Sequence, residues 1–224
     1  MNITLGYIEK SYFDKKFTHL TRKFEYPFVI EKIKNYLNEK KESQEKIVIE
    51  NFSCGWSSNS KVGSKYGHDH ESFYHDLTKE FDQHAEIRNS DIHQEDELQK
   101  DKRSVDVFKN FRYFDIVNSK FEDNEKPDVS LNISVIEHLK RELILKSINN
   151  LIENTREGGI LIITFDVVGK IREIIESNFN VASEKYDSNL HASSNVMYLI
   201  VEKWEHKNDN REKRFSKIFY WKWI

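Results

Sequence analysis

A short apolar run that turns at a single glycine has the pattern of a ligand-binding loop. In "VIENFSCGWSS", residues 48–58, a β-branched segment is followed by Gly55 and small polar residues. This pattern typically places a nucleotide-like ligand against the tip of the first strand of an α/β sheet. Asp76 follows about 20 residues after Gly55, the spacing at which a dinucleotide fold places an acid for ribose hydroxyls. Together these features predict a nucleotide-like ligand.

A second group of candidate residues is a dense set of imidazoles and carboxylates. These residues could bind a divalent metal, and they are His68, Asp69, His70, His75, Asp82 and His84. The segment has no recognised zinc-ligand spacing, and we expect much of it to be an exposed loop before the second strand. The sequence therefore predicts no metal site.

The elements that must position these residues alternate between strand and helix. Residues 10–40 have helical periodicity, with Pro27 near the first turn. "KIVIENF", "ESFYHD", the start of "DVSLNISVIEHL" and "GGILIITFDVV" are strand candidates, and helices follow the last two. Such alternation indicates an α/β fold with a doubly wound, mostly parallel, Rossmann-like sheet.

The rest of the chain completes one expected domain, residues 1–224. We predict an N-terminal helical cap (1–44), a Rossmann-like core (45–205) and a basic-aromatic tail (206–224) that packs on the domain. The polar segment 85–110 is expected to be an exposed excursion. "NVASEKYD" and "NVMYLIVEKW" are expected to pair as a C-terminal antiparallel hairpin at the edge of the sheet.

Composition limits which binding partners and which cellular compartment we expect for this protein. The net charge of −3 gives no reason to favour a nucleic acid. No apolar run approaches the roughly 20 residues of a membrane helix, and the N-terminus lacks a signal-peptide pattern. The single Cys54 excludes an internal disulfide and fits a reducing compartment, so we expect a cytoplasmic protein. A homo-oligomer is left open.

Two nucleotide-dependent enzyme classes lack their motifs in this sequence. A nicotinamide-dependent oxidoreductase needs G-x-G-x-x-G, which "SCGWSS" does not supply. A P-loop enzyme needs Gly-Lys-Ser/Thr, which is also missing. Neither of these two enzyme classes is therefore favoured.

From Ile47 to Trp204 the chain resembles the class I S-adenosylmethionine-dependent methyltransferases, a Rossmann-like family. The strongest match is "KPDVSLNISVIEHL", where the family has an Asp, an apolar strand and a Ser-Val-x-Glu-His segment that opens a helix. "REGGILIITFDV" is similar to the family's fifth strand. The resemblance implies S-adenosylmethionine as the cofactor.

The first loop departs from the family's pattern at two positions. Ser53 replaces the first glycine and Asn51 replaces the usual acid, whereas Glu50 is offset by one and should point to the opposite face of the strand. Asn51 can still accept a hydrogen bond from the cofactor's ammonium group, but without the charge. Both changes predict reduced cofactor affinity.

The resemblance also implies which residues bind the cofactor. Asp76, ending the second strand, would hold the ribose, and Asp115 with Ile116, after the third strand, would border the adenine. Trp56 could cover the mouth of the site. The full implied set is Asn51, Ser53, Cys54, Gly55, Trp56, Asp76, Leu77, Asp115, Ile116, Asn132 and Ser134.

His138 is the candidate catalytic residue. It lies after the fourth strand, where the family brings substrate and cofactor together, and an imidazole there could act as a general base. The alternative is that Glu137 and His138 only cap and pack the start of a helix. Methyl transfer to an already nucleophilic atom needs little beyond alignment, so both roles stay open.

These observations predict a methyltransferase that acts on a small molecule or a saccharide intermediate. The alternative is a catalytically inactive methyltransferase-like protein that serves in binding or assembly. Asp76, Asp115 and "SVIEHL" favour the enzyme, whereas Asn51, Ser53 and a first helix poor in apolar residues favour the alternative.

Overall fold

One sheet of eight strands organises the part of the chain that the structure describes. The computed structural model describes residues 1–40, 46–52, 61–92, 111–167, 169–183 and 196–203. Its strands are β1 (Asn2–Tyr7), β2 (Ile47–Phe52), β3 (Ala85–Asp91), β4 (Phe111–Tyr113), β5 (Val129–Ile133), β6 (Ile160–Asp166), β7 (Ala182–Ser183) and β8 (Val196–Glu202). The helices are α1 (Arg22–Glu39), α2 (Lys61–Phe81), α3 (Arg141–Asn154) and α4 (Gly169–Asn178).

The strand order is β4-β3-β2-β5-β6-β8-β1-β7. The five strands from β4 to β6 are mutually parallel, and the order reverses between β2 and β5. β8 is antiparallel to β6 and to β1. The prediction of a doubly wound, mostly parallel, Rossmann-like α/β sheet is confirmed.

Helices cover both faces of this sheet, so its central strands are buried on two sides. All residues of β2 and β5 are buried, as expected for parallel strands between helical layers. One apolar cluster joins the sheet to α1 and α2, and a second joins it to α3 and α4. The stacked rings of Tyr26 and Phe73, with centroids 4.1 Å apart, connect α1 with α2.

The expected N-terminal helical cap is partly wrong, because the chain begins with a strand of the sheet. Thr4 and Leu5 of β1 pair with β8 on one side and β7 on the other. Gly6 lies opposite Tyr198, and a Cβ on this glycine would come within 2.6 Å of the phenol oxygen. The helix of this segment is α1, and Pro27 lies inside it rather than in its first turn.

The expected second strand, "ESFYHD", is helical, and the real second strand of the core is β3. In α2 the apolar residues Phe73, Leu77 and Phe81 recur every four positions and are buried, which is a helical stripe. β3 lies in the segment expected to be an exposed excursion, yet its last residues, Asn89, Ser90 and Asp91, are buried. The sequence did not predict this strand because its polar side chains resemble those of an exposed segment, although they form hydrogen bonds inside the sheet.

The predicted C-terminal hairpin is also wrong, because its two strands, where they are described, do not pair with each other. The antiparallel edge that it was expected to form exists, but β8 pairs with β1 and β6, whereas β7, as far as the structure describes this region, pairs with β1 and in parallel. The N-terminal strand has therefore been inserted between the two expected hairpin partners. The basic-aromatic tail, 206–224, lies outside the described residues.

Within the described ranges, none of the helices is both long and apolar enough to cross a membrane.

Candidate active site

The carboxyl ends of the parallel strands form one polar edge. Because β2 to β6 run in the same direction, the residues at their ends and in the following loops lie along a single side of the sheet, the usual ligand side of such folds. Polar residues at this edge are Asn51, Asp91, Asn132, Ser134 and Asp166. The sheet order reverses between β2 and β5, and a ligand crevice is expected at that point.

Asn51 and Glu50 face opposite ways on β2, as the alternation of a strand requires. The Asn51 amide donates a 3.1 Å hydrogen bond to Asn89 Oδ1, so its nitrogen is turned toward β3. Glu50 is fully buried, where it accepts hydrogen bonds from Ser90 and Arg112. Glu50 is thus a structural residue, and the expectation that it points away from Asn51 is confirmed.

Asp91 ends β3 at the position where Asp76 was expected. Asp91 is buried, with 4% of its surface exposed. Its backbone carbonyl accepts a 2.8 Å hydrogen bond from the Phe114 amide. Ile92 and Tyr113, which ends β4 opposite Asp91, are both 54% exposed. A buried carboxylate at a strand end, with the exposed Ile92 next to it in the chain and the exposed Tyr113 opposite it on β4, is suited to a ligand with ribose hydroxyls and a planar base.

Asp76 and Leu77 lie in α2 rather than at a strand end. α2 ends four residues before β3 begins, so its last turns lie near the edge of the sheet opposite the carboxyl ends of the parallel strands. Asp76 forms an ion pair with Lys16 beside a groove of about 390 Å³ between α1 and α2. Leu77 is fully buried in the core. The predicted placement of Asp76 is wrong, because a helix occupies the segment interpreted as a strand.

Asp115 follows β4 as predicted and shapes its own loop. Its carboxylate accepts 2.8 Å and 2.7 Å hydrogen bonds from the Val117 amide and the Asn118 side chain. Ile116 is 7% exposed, and its carbonyl accepts a bond from Asn150. The loop is therefore fixed at the correct edge, with Ile116 packed in the core below it.

Asn132 and Ser134 lie at the end of β5 and just beyond it. Asn132 is fully buried opposite Phe52 of β2. Ser134 has a φ of +50°, a left-handed conformation that is uncommon for a residue other than glycine. Its hydroxyl donates a 2.6 Å hydrogen bond to Glu25 Oε1 on α1, which bridges the sheet edge and the helix.

Glu25 is the centre of a buried network that no sequence pattern indicated. Its Oε1 atom also accepts a 2.6 Å bond from Thr164 of β6, and its carboxylate pairs with Arg22. Burial alone would raise the pKa of Glu25, but Arg22 and the two hydroxyl donors lower it below its ordinary value. Glu25 is therefore a charged carboxylate inside the protein.

Two further acidic residues, Glu137 and Asp166, lie near Glu25 of this network. The Asp166 amide donates a long, 3.5 Å hydrogen bond to Glu137 Oε1. In the part of the chain that the structure describes, Glu137 Oε2 and Asp166 Oδ1 are buried without a hydrogen-bond partner. Burial, helped by the charges of Glu25 and Asp166, raises the pKa of Glu137 to about 7. Burial and Glu25 also raise the pKa of Asp166.

Two histidines border the carboxylates. His138 is exposed on the short 3-10 turn Ile136–His138 that also carries Glu137. His19 lies just before α1, and burial together with Arg22 lowers its pKa. Asp69 of α2 fixes this segment, accepting a 2.6 Å bond from the His19 amide and a 2.8 Å bond from the Thr18 amide.

The carboxyl edge of the sheet therefore carries Asn51, Asn132, Ser134 and His138, with Asp115 farther along it, whereas Asp76 and Leu77 lie in α2. Ser53, Cys54, Gly55 and Trp56 lie outside the described residues. Among the residues that are described, no group of three or more His, Cys, Asp or Glu is arranged to hold a metal ion.

Sequence reasoning missed Asp91, Arg22, Glu25 and Asp166. Two of them had a signal, because Asp91 ends "AEIRNSD" and Asp166 ends "ILIITFD", each an acid at the carboxyl end of a strand. Arg22 and Glu25 had none, since they read as ordinary surface residues of a helix.

Comparisons with known proteins identify the fold through solved structures, whereas comparisons of the sequence identify no family. No protein-family model matches the chain, and no curated protein matches it by sequence. The solved structure of DszA carbon methyltransferase is similar with a TM-score of 0.55 and 14% identity, over 80% of this chain and 53% of that one. CurJ carbon methyltransferase has a TM-score of 0.48 and 12% identity, over 79% and 54%.

A third similar structure is N-methyltransferase NodS from Bradyrhizobium japonicum, with a TM-score of 0.43 and 12% identity, over 80% of this chain and 98% of that one. The chain spans about half the length of the first two structures. The fold is that of the class I S-adenosylmethionine-dependent methyltransferases, as the sequence resemblance implied.

Proposed function

We propose that the protein is an S-adenosylmethionine-dependent methyltransferase that acts on a small molecule or a saccharide intermediate. The observation that carries the proposal is Asp91, a buried carboxylate at the end of β3 with the exposed side chains of Ile92 and Tyr113 beside it. These groups fit the cofactor, because a carboxylate accepts hydrogen bonds from ribose hydroxyls and large hydrophobic side chains can cover a base.

Each chemical group of the cofactor can be assigned to residues at the carboxyl edge of the sheet. Asp91 would hold the ribose, Ile92 and Tyr113 would border the adenine, and the Asp115 loop would close that end. Asn51 and Asn132 would contact the amino-acid part, together with Ser53, Cys54, Gly55 and Trp56 of the first loop. When bound, S-adenosylmethionine supplies an electrophilic methyl group.

The protein's own residues then orient the acceptor and handle its proton. Glu137 and His138 share one turn beyond β5, beside Asp166 at the end of β6. Glu137, with its pKa near neutrality, is suited to exchange a proton, and His138 keeps the general-base role proposed for it. The single Cys54 supports a cytoplasmic location.

A second candidate function is binding or assembly without turnover. It is favoured by Asn51 and Ser53, which stand where the resemblance implies an acid and a glycine. These replacements remove a charge-assisted hydrogen bond and backbone freedom, and both weaken cofactor binding.

Transfer of labelled methyl groups separates the two functions. The full chain is incubated with methyl-tritiated S-adenosylmethionine and the small-molecule fraction of a cell extract, with heat-treated protein as the control. An active enzyme labels that fraction above the control. Cofactor binding with no labelling would support the inactive alternative.

A further inference from the structure

We propose that Glu25 of α1 is a positioning residue for the cofactor, because it holds Ser134 in a left-handed conformation and so fixes the turn after β5 beside the cofactor crevice. The inference rests on the proposed methyltransferase function and deepens it by giving the N-terminal helix a part in cofactor binding. Glu25 acts through Ser134 rather than by contact with the cofactor.

The turn after β5 borders the crevice where the order of the strands reverses. Asn132 of β5 pairs with Phe52, the last residue of β2, and the reversal lies between these two strands. Ser134 follows Asn132 by two residues. Since an extended chain spans at most about 3.6 Å per residue, the two Cα atoms lie within about 7 Å of each other. A ligand in such a crevice meets the loops that follow both strands, so the backbone at Ser134 helps to shape its site.

The direction in which the chain leaves β5 is set at Ser134. Its amide still donates a 2.9 Å hydrogen bond to the Thr164 carbonyl of β6, and the 3-10 turn Ile136–His138 begins two residues later. Among the described residues other than glycine, Ser134 is the one with a positive φ, +50°. This conformation is unfavourable for a residue with a Cβ, whereas glycine adopts it readily. A contact from elsewhere in the fold must therefore hold it.

Glu25 supplies this contact from α1. Its Oε1 atom accepts a 2.6 Å hydrogen bond from the Ser134 hydroxyl, and its carboxylate pairs with Arg22 one helical turn earlier. Glu25 is 0% exposed and Ser134 is 8% exposed, so water has little access to this bond. Hydrogen bonds to a charged acceptor are stronger than those between neutral groups. The bond is thus suited to offset the backbone cost at Ser134 and to keep the turn in one conformation.

Two substitutions of Ser134 separate a backbone role from a side-chain role. Ser134→Ala and Ser134→Gly both delete the hydroxyl and its bond to Glu25, but glycine alone keeps the left-handed conformation without help. The apparent affinity of a ligand falls with the fraction of molecules in the competent conformation. In titrations of S-adenosylhomocysteine into the full chain, Ser134→Ala should therefore bind at least about fivefold more weakly than the wild type. Ser134→Gly should stay within about twofold of it.

A double-mutant cycle tests whether Glu25 acts through this backbone. Glu25→Ala should weaken S-adenosylhomocysteine binding at least about fivefold in the wild-type chain, but by less than about twofold in the Ser134→Gly chain, since glycine does not need the carboxylate. A purely structural role of Glu25 predicts the same loss in both chains. Circular dichroism checks that each variant is folded. If Glu25→Ala does not fold, the comparison of Ser134→Ala with Ser134→Gly decides by itself.

The matched control is Ser147→Ala in α3. Ser147 is 0% exposed, and its hydroxyl donates a 2.9 Å hydrogen bond to the Leu143 carbonyl. The substitution removes a buried serine hydroxyl, as Ser134→Ala does, but from a residue with helical backbone. S-adenosylhomocysteine affinity should stay within about twofold of the wild type.

The inference is overturned if Ser134→Ala binds S-adenosylhomocysteine as tightly as the wild type. It is also overturned if Ser134→Gly loses as much affinity as Ser134→Ala, because the hydroxyl itself would then be the group that matters. A wild-type chain that fails to bind S-adenosylhomocysteine would instead overturn the proposed function.

Discussion

The hydroxyl of Ser134, beyond β5, donates a 2.6 Å hydrogen bond to the carboxylate of Glu25, which lies 109 residues earlier on α1. This bond, with that from Thr164, ties the start of α1 to the edge of the sheet where β5 and β6 end. The left-handed backbone of Ser134 is therefore maintained by a long-range contact. α1 is thus a wall of the site rather than a separate cap.

Removing one hydrogen-bond donor to Glu25 should lower the free energy of unfolding. Thr164→Val keeps the shape of the side chain but deletes a hydrogen bond to a buried charge, so we expect a loss of about 1.5–3 kcal/mol in the free energy of unfolding. Urea denaturation measures it. The control is Ser11→Ala, which deletes a bond between exposed side chains and should change stability by less than about 0.5 kcal/mol. Equal effects would contradict the role given to Glu25.

The pH dependence of stability should contain a contribution from Glu137. Its pKa is raised from 4.5 to about 7 by folding, so above pH 4.5 the native state binds more protons than the unfolded state. This contribution is fully present below pH 4.5 and is lost as the pH rises through 7. Glu137→Gln should therefore show a smaller decline in stability across this range than the wild type or the exposed-site control Glu142→Gln. Parallel curves for all three proteins would contradict the assignment.

Arg112 compensates a buried charge on β2. Burial raises the pKa of Glu50 even though Arg112 and Ser90 donate to it. Arg112→Ala removes the cation that pairs with this carboxylate, and we expect a loss of about 3–5 kcal/mol in the free energy of unfolding at pH 7.5.

The loss caused by Arg112→Ala should be smaller at pH 5. A carboxyl with a raised native pKa stabilises the fold at low pH and loses that stabilisation as the pH rises. Arg141→Ala, which breaks an exposed ion pair with Glu173, should cost less than about 1 kcal/mol at both pH values. A pH-independent loss in the Arg112 variant would show that packing, including its contact with the Phe121 ring, is the main effect.

The sequence predicted the centre of the sheet well because its strands are apolar. β2 and β6 are short apolar runs beside turn residues, and such runs are typical of strands buried on both faces. The segment after β5 could be placed because "SVIEHL" resembles a known family. These elements also positioned Asn51, Asn132, Ser134 and His138 at one edge.

The elements that the sequence did not predict are polar or depend on distant partners. β3 carries Glu86 and Arg88, which pair with each other, and its last polar residues are buried by neighbouring strands. β1 has its partners far along the chain, since it pairs with β8, 190 or more residues away, and with β7. Glu25 joins the site through Ser134 and Thr164, and no local pattern encodes such contacts.

Asp91, and not Asp76, should determine cofactor affinity. Asp91→Asn removes the charge from the acceptor proposed for the ribose hydroxyls, so S-adenosylhomocysteine should bind at least tenfold more weakly. Asp76→Asn changes a residue of α2 paired with Lys16, and it should leave the affinity within twofold. Isothermal titration of both variants checks this, and a larger loss in the Asp76 variant would restore the ribose role to that residue.

The central claim, that the carboxyl edge of this sheet binds S-adenosylmethionine, is tested most directly by titrating S-adenosylhomocysteine into the full wild-type chain in a calorimeter. The proposed site predicts saturable binding with one molecule per chain. The absence of binding at millimolar ligand would contradict it and would leave the fold without its proposed cofactor.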